Sequence, residues 1–340
     1  MARSEQQQRT LILGSFATTY FVWGSTYVAN AWATEEVPPF LLAGVRFTIA
    51  AAILLIIARI VSPFTATRRQ IANSAIIGFL MFSVGNGLAV WSLKYIDSGI
   101  SAIIIALQPL VVVLMEWLWR SKRPNAATVA GIFLGVVGIG LLVGQPQFQV
   151  GIGPLLGLAA LLVALVSWGA TTVWIPVANL PRSMFERTAL QMAFGSIILL
   201  VTSAGLGEFE GFRVADVTSR GWWSLAYLVV FGSLLAMTAF NFLLSTVEPS
   251  KVVTNTYINP IIAVFLGWWL RDEPVTWITL VASGLLLTGV FMIVHNRKRR
   301  PPVEPRIEDA TLDSAPVSTS AGPAIADRRC AVAATCDGNA

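Results

Sequence analysis

Apolar runs of about 20 residues recur along almost the whole chain, and ~20 is the number an α-helix needs to cross a ~30 Å hydrocarbon core. They fall near 11–32, 39–60, 71–93, 98–119, 126–144, 154–175, 184–205, 221–244, 251–270 and 275–295. In hydrocarbon the backbone must satisfy its own N–H and C=O groups, which segments of this length do as helices. The sequence predicts an all-α membrane protein with ten transmembrane helices. Composition agrees, since 12% of residues are charged against the ~25% of a soluble domain. The first run contains Ala29-Asn30-Ala31, which resembles a signal-peptide cleavage site. It also carries Thr18, Thr19, Tyr20 and Trp23 and has a counterpart later in the chain, so it reads as a permanent span.

Charge placement sets the orientation. The formal net charge is +5, but the cations sit at helix ends, where they act as topology determinants rather than as a nucleic-acid surface. With both termini in the cytoplasm, fifteen near-membrane Lys and Arg lie inside, from Arg3 and Arg9 through Arg68, Arg69 and Lys251 to Arg297–Arg300. Only Lys94, Arg213, Arg220 and Arg271 lie outside. The outer loops carry Glu35, Glu36, Glu208, Glu210 and Asp216 instead. Residues 1–10 form a cytoplasmic N-terminal tail, and residues 297–340, rich in Pro, Ser, Thr, Ala and Asp, read as a disordered cytoplasmic tail. Cys330 and Cys336 lie in that tail and lack metal or redox spacing. No Walker motif for ATP occurs, and no Ser/His pair, aspartate pair or metal cluster lies within the spans. No cofactor is expected, and the chain does not read as an enzyme.

An internal repeat organises the spans. Trp23-Gly24-Ser25-Thr26 matches Trp168-Gly169-Ala170-Thr171, and Gly44-Val45-Arg46 faces Ala189-Leu190-Gln191 at the same offset. Asp97-Ser98 through Gln108-Pro109 matches Glu248-Pro249 through Asn259-Pro260, and Gly135 and Gly140 match Gly284 and Gly289. Small drifts in offset are what loop insertions leave between duplicated halves. The halves are residues 11–146 and 154–296, each with an odd number of spans. Repetition in sequence therefore becomes inversion across the bilayer, giving two inverted five-helix repeats. That arrangement lets two related halves expose one midplane site to either side in turn.

The residues also resemble a family. Tyr20-Phe-Val-Trp-Gly-Ser-Thr-Tyr27, followed by Pro38-Pro39-Phe40 and Gly44-Val-Arg46-Phe47, is similar to the opening of an EamA-type domain of the drug/metabolite transporter superfamily. Leu107-Gln108-Pro109 and Ile258-Asn259-Pro260 resemble its proline-centred fourth spans, and Arg271-Asp272-Glu273-Pro274 the acidic stop that follows. In the first half Ser121-Lys122-Arg123-Pro124 replaces that stop. The resemblance implies a ten-helix inverted-repeat transporter of small metabolites, often an exporter, in a bacterial inner membrane. It does not fix the substrate.

Several residues could carry the mechanism. Pro109 and Pro260 fall near the midplane at ~1.5 Å per residue, and each lacks the N–H that would bond the carbonyl four residues earlier, Ile105 or Thr256. Both are read as helix kinks beside the polar side chains of Gln108, Asn255, Thr256 and Asn259, with plain packing as the bland alternative. Trp23 and Trp168 lie too deep for an interfacial belt and read either as cavity lining or as rings over a close helix crossing. Arg46 is the charged residue clearly inside a span, where arginine costs at least ~2.5–3.5 kcal/mol. It must face protein, water or an anion. Gln191 is its repeat mate. Ser25, Thr26, Asn86, Thr171 and Tyr257 complete the candidate substrate-binding set, with Asn30, Asn241 and Thr172 weaker. Glu116 is a weak coupling candidate, since an i,i+4 ion pair with Arg120 explains it as well. Asp97 and Glu248 read as helix N-caps. Gly131, Gly135, Gly138 and Gly140 permit close helix packing, within one chain or between two copies of a homodimer.

The expected function is secondary transport, as an exporter, of a small organic metabolite such as an amino acid. Export of lipophilic or cationic drug-like compounds is the alternative, and a passive channel a distant one, because a continuous polar stripe is missing. The expected partners are the small-molecule substrate and the lipid bilayer.

Overall fold

The computed structural model describes residues 2–61, 63–120, 126–143, 151–247, 252 and 255–295. The tail from 297 with Cys330 and Cys336, Glu248, Lys251 and the Ser121-to-Pro124 segment lie outside the described residues. Among the described residues the apolar runs fold largely as helix, and no strand occurs. The elements are α1 (Ala2–Glu36), α2 (Pro39–Val61), α3 (Arg68–Gly78), α4 (Leu88–Ser92), α5 (Ser98–Ile105), α6 (Gln108–Arg120) and α7 (Ala126–Val143). They continue as α8 (Gly153–Trp174), α9 (Met184–Gly205), α10 (Ser219–Tyr227), α11 (Ala236–Thr246), α12 (Asn255–Arg271) and α13 (Trp277–His295).

Six stretches are long and apolar enough to cross a membrane: Pro39–Val61, Arg68–Ser92, Ser98–Trp119, Gly153–Val177, Met184–Gly205 and Ser219–Leu244. Val129–Leu142, Ile258–Arg271 and Trp277–Gly289 are shorter apolar helices. The first helix is 35 residues long, yet its Thr, Ser, Tyr and Trp residues keep it out of both groups.

Two stretches depart from uniform α-helix in a way the sequence did not announce. Phe79–Gly87 joins α3 to α4 as π-helix, and Leu228–Leu235 joins α10 to α11 in the same form. These segments occupy matching places in the two expected halves. π-Turns loosen the backbone ladder by one residue and cluster at functional sites. The prolines behave differently from each other. Pro109 is the second residue of α6, after a turn at Ala106 and Leu107 separates it from α5, whereas Pro260 sits inside an unbroken α12.

Packing runs across the expected halves in matched pairs. Helix α2 lies against α9, and α7 against α13. Helix α1 packs on α10, α11 and α12, while α8 packs on α4, α6 and the Phe79–Gly87 segment. One apolar cluster joins Phe47, Leu54, Ile77, Phe82, Met192 and Phe240. A second joins Ile103, Ile104, Leu142, Leu161, Leu165 and Leu286. The glycine pattern of α7 serves contacts within the chain. A Cβ on Gly138 would stand 2.7 Å from Leu286, and one on Gly289 2.7 Å from the Gly131 carbonyl.

Acidic side chains from one half cap helix starts in the other. Helix α2 follows Pro38, which offers no side-chain acceptor, and Glu208 accepts from the N–H groups of Phe40 (3.4 Å) and Leu41 (2.9 Å). Glu36 accepts from Thr218 N and Oγ1, both at 2.7 Å, ahead of α10. Glu186 instead braces the chain ahead of α3, accepting from Ala66 N at 2.9 Å, while Thr67 and Gln70 cap that helix themselves. Glu273 accepts from Ser98 N at 3.1 Å, Ser98 Oγ at 2.6 Å and Gly99 N at 3.0 Å, at the start of α5. Carboxylates suit these positions because helix N-termini present unpaired N–H groups and positive potential.

The last of these caps corrects an expectation. Asp97 occupies the N-cap position of α5 but makes no side-chain cap bond, because Glu273 already takes the N–H groups. Burial, and then the neighbouring Glu273, push the Asp97 carboxyl above its ordinary range, against the pull of Arg271. A raised carboxyl pKa gives stability that is present below the unfolded pKa and is lost as pH rises through the folded value. Glu36 runs the other way: the Thr218 hydroxyl foremost holds it low, so its contribution is lost as pH falls. Asp97→Asn is expected to raise the melting temperature at neutral pH and to flatten its decline from acid to neutral. Thermal unfolding in detergent across that range checks both, and an unchanged profile would refute the assignment.

Candidate substrate cavity

A cavity of about 140 Å³ opens where the two sets of helices meet. From α1 it takes Trp23, Thr26, Tyr27 and Asn30, and from α2 Arg46. The two π-helical segments give Gly85, Asn86 and Gly232, and α5 and α6 give Ile105 and Gln108. Ala164, Trp168 and Thr172 of α8, Met237 and Phe240 of α11, and Thr256 and Asn259 of α12 complete most of the wall.

The aromatic side is built by the repeated Trp-Gly motif. The rings of Trp23 and Trp168 meet edge-to-face with centroids 6.1 Å apart, and Trp23 lies 4.9 Å from Phe240. Trp23 Nε1 donates to the Gly232 carbonyl at 3.4 Å, a group of the π-helical segment. The glycines beside the tryptophans allow the approach of other helices: a Cβ on Gly24 would stand 2.8 Å from Ile262, and one on Gly169 2.7 Å from Val111. The two readings of these tryptophans therefore hold together, since the rings line the cavity and their glycines carry the crossings. Thr26 and Thr171 repeat one another, each donating to the tryptophan carbonyl three residues earlier at 2.7 and 2.8 Å.

The polar side is built around Arg46, 5% exposed. Its Nε donates to Ser233 Oγ at 2.7 Å, and its Nη1 reaches Asn30 Oδ1 at 3.4 Å. The Asn30 amide is oriented by its own Nδ2, which donates to the Thr26 carbonyl at 2.7 Å. The guanidinium carbon stands 4.9 Å from the Phe47 ring centre. Gly232 leaves it room, for a Cβ there would lie 2.8 Å from Nη2.

The structure sorts the expected residues. Trp23, Thr26, Arg46, Asn86, Gln108, Trp168 and Asn259 line this cavity. Ser25 turns away from it and meets the Tyr227 hydroxyl at 2.6 Å. Thr171 is fully buried against its own helix and leaves its place in the wall to Thr172. Gln191 is buried where α9 meets Gly78, so it mirrors Arg46 in sequence and not in environment. The side chains of Asn255 and Tyr257 lie outside the described residues, as does that of Arg120, the expected partner of Glu116. Glu116, Pro109 and Pro260 are absent from the wall. Tyr27 and Asn30 were legible as lining, because 23, 26, 27 and 30 form one helical face. Phe240, Met237 and Gly232 had no comparable signal.

Membrane-length apolar helices bundled around a cavity, with helix and no strand among the described residues, are the build of a multi-pass membrane transporter. The chain matches the EamA-like transporter family over residues 10–144 and again over 155–295, and it belongs to that family. It is 30% identical over 313 residues to the uncharacterized inner membrane transporter YedA of Escherichia coli K12, covering 89% of this chain and 97% of that protein. It is 25% identical over 291 residues to the uncharacterized transporter YoaV of Bacillus subtilis, covering 85% and 98%. A solved crystal structure shares the fold with a TM-score of 0.59 at 18% identity, over 84% of this chain and 96% of that one.

Proposed function

We propose that this chain is a secondary transporter of a bacterial inner membrane that exports a small organic metabolite, such as an amino acid, by alternating access. Ten spans in two inverted five-helix repeats, with both termini cytoplasmic, form the working unit. The observation that carries this reading is a cavity walled by both halves, with the repeat mates Trp23 and Trp168 in contact beside it. The matched cross-half packing, the paired π-helical segments and the twofold family match support the inverted repeat. A site shared by two inverted halves is the geometry that rocking of one against the other opens to alternate sides.

Purified protein in proteoliposomes, challenged with a panel of labelled metabolites by counterflow, tests the reading. Counterflow of at least one metabolite is expected, and Trp168→Ala is expected to reduce it about tenfold, the size of a lost ~1.4 kcal/mol contact. Counterflow that the Trp168→Ala and Trp23→Ala variants leave unchanged would remove the cavity from the transport path. Preferential passage of lipophilic cations would favour the drug-export alternative.

A further inference from the structure

The cavity carries a positive charge and, among its lining residues, no acid to meet it. Arginine is almost never buried without a partner, and a charge withdrawn from water costs several kcal/mol unless paired. Arg46 has two hydrogen bonds, both to neutral acceptors. Ser233 holds Nε and Asn30 holds Nη1 loosely, which fixes the plane of the guanidinium. The Nη2 edge beside Gly232 makes no hydrogen bond among the described residues. A second donor stands in the same wall. Gln108 is 6% exposed, and its Nε2 is buried without a hydrogen-bond partner. Donors thus outnumber acids in this wall, whose aromatic and apolar part is formed by Trp23, Trp168, Phe240 and Met237.

We infer that the cavity binds a small organic monoanion, its carboxylate on the open edge of Arg46 and its ring-sized apolar body against Trp23 and Phe240. This rests on the transporter reading only for the claim that the bound molecule is also carried. A guanidinium fork matches a carboxylate in charge and geometry. One arginine and no lysine in the wall fits one negative charge. The volume of about 140 Å³ suits a ring, since a cavity of about 150 Å³ holds benzene. No lining carboxylate is present for an ammonium, so an amino group on the ligand gains no ion pair here. Gly232 leaves room for this edge, because a Cβ there would lie 2.8 Å from Nη2 and push the guanidinium aside.

Four probes with one common body separate charge from shape: phenylacetate, its neutral isostere phenylacetamide, the cation phenethylamine and the zwitterion phenylalanine. Binding is read from tryptophan fluorescence and thermal shift of the full chain in detergent at neutral pH. Wild type is expected to bind phenylacetate about tenfold or more tightly than phenylacetamide or phenethylamine, the difference of one charge-assisted contact. Phenylalanine should gain nothing over phenylacetate. Arg46→Gln should bring phenylacetate down to the affinity of the amide and leave the amide unchanged, and Arg46→Lys should recover part of the preference. Should Arg46→Gln fail to fold, Gly232→Ala serves in its place, since it keeps the charge but displaces Nη2 and should weaken phenylacetate more than phenylacetamide. Equal binding of the anion and the amide by wild type, no saturable phenylacetate binding, or a preference that survives both Arg46→Gln and Gly232→Ala would overturn the inference. Arg46-dependent binding without passage across a liposome membrane would instead strike the transport reading and leave the anion site standing.

Discussion

Replacing Glu273 by alanine is expected to destabilise the protein by about 3–5 kcal/mol, the usual result of emptying one side of a buried charged network. The carboxylate is 8% exposed and accepts from Ser98 N, Ser98 Oγ and Gly99 N. It also meets Arg271 Nε at 3.0 Å. Alanine would leave two N–H groups at the head of α5 and a serine hydroxyl without their acceptor. Among the described residues Arg271 would keep Glu35 alone, at 2.7 Å. Relief of the repulsion on Asp97 offsets a small part. Glu273→Gln retains an acceptor without the charge, and its cost should be roughly half as large. The order wild type, Gln, Ala in thermal unfolding is the expected result; an alanine variant as stable as wild type would refute the capping role.

Gly78→Ala is the second large effect. A Cβ at Gly78 would collide with the backbone carbonyl of Gln191 in α9, and across the same crossing a Cβ on Gly195 would lie 2.8 Å from the Gly78 carbonyl. A backbone atom cannot swing aside as a side-chain tip can, so the helix itself must move. Overpacking of this kind costs about 1–3 kcal/mol or more. Gly140 provides the internal control, because nothing lies within 4 Å of its would-be Cβ. Gly140→Ala should be neutral, or stabilising by up to ~1 kcal/mol through helix propensity. Similar melting temperatures for the two variants would show that the crossing is looser than described.

The helices were legible because hydrocarbon imposes a length, which six stretches meet while three other apolar helices are shorter. Trp23, Arg46 and Gln108 were legible for a related reason: depth along a helix follows from residue count, and a polar or bulky group well inside an apolar run must be accommodated by protein. Rotation about the helix axis was less accessible. Ser25 adjoins Thr26 in sequence yet points to Tyr227, because neighbours on a helix diverge by about 100°. Gln191 shows the limit of repeat symmetry, which relates backbones and does not fix what packs on each side chain. Glu273 was seen as part of a stop motif, but its acceptors are spent on a helix start 174 residues away from it at Gly99. No local pattern encodes that. The π-helical segments also lack a residue signature; their correspondence across the two halves emerges only in three dimensions.

The interleaving of α1 with α10, α11 and α12, and of α8 with α4 and α6, bears on how the gene could be cut. If the chain were divided between Val143 and Gly151, neither fragment would own the surface that its leading helix rests on. Each would present an orphaned helix to lipid, together with helix starts whose acidic caps reside on the other fragment. Two polypeptides made in the same cell could reassemble, but either alone would have no finished fold to reach.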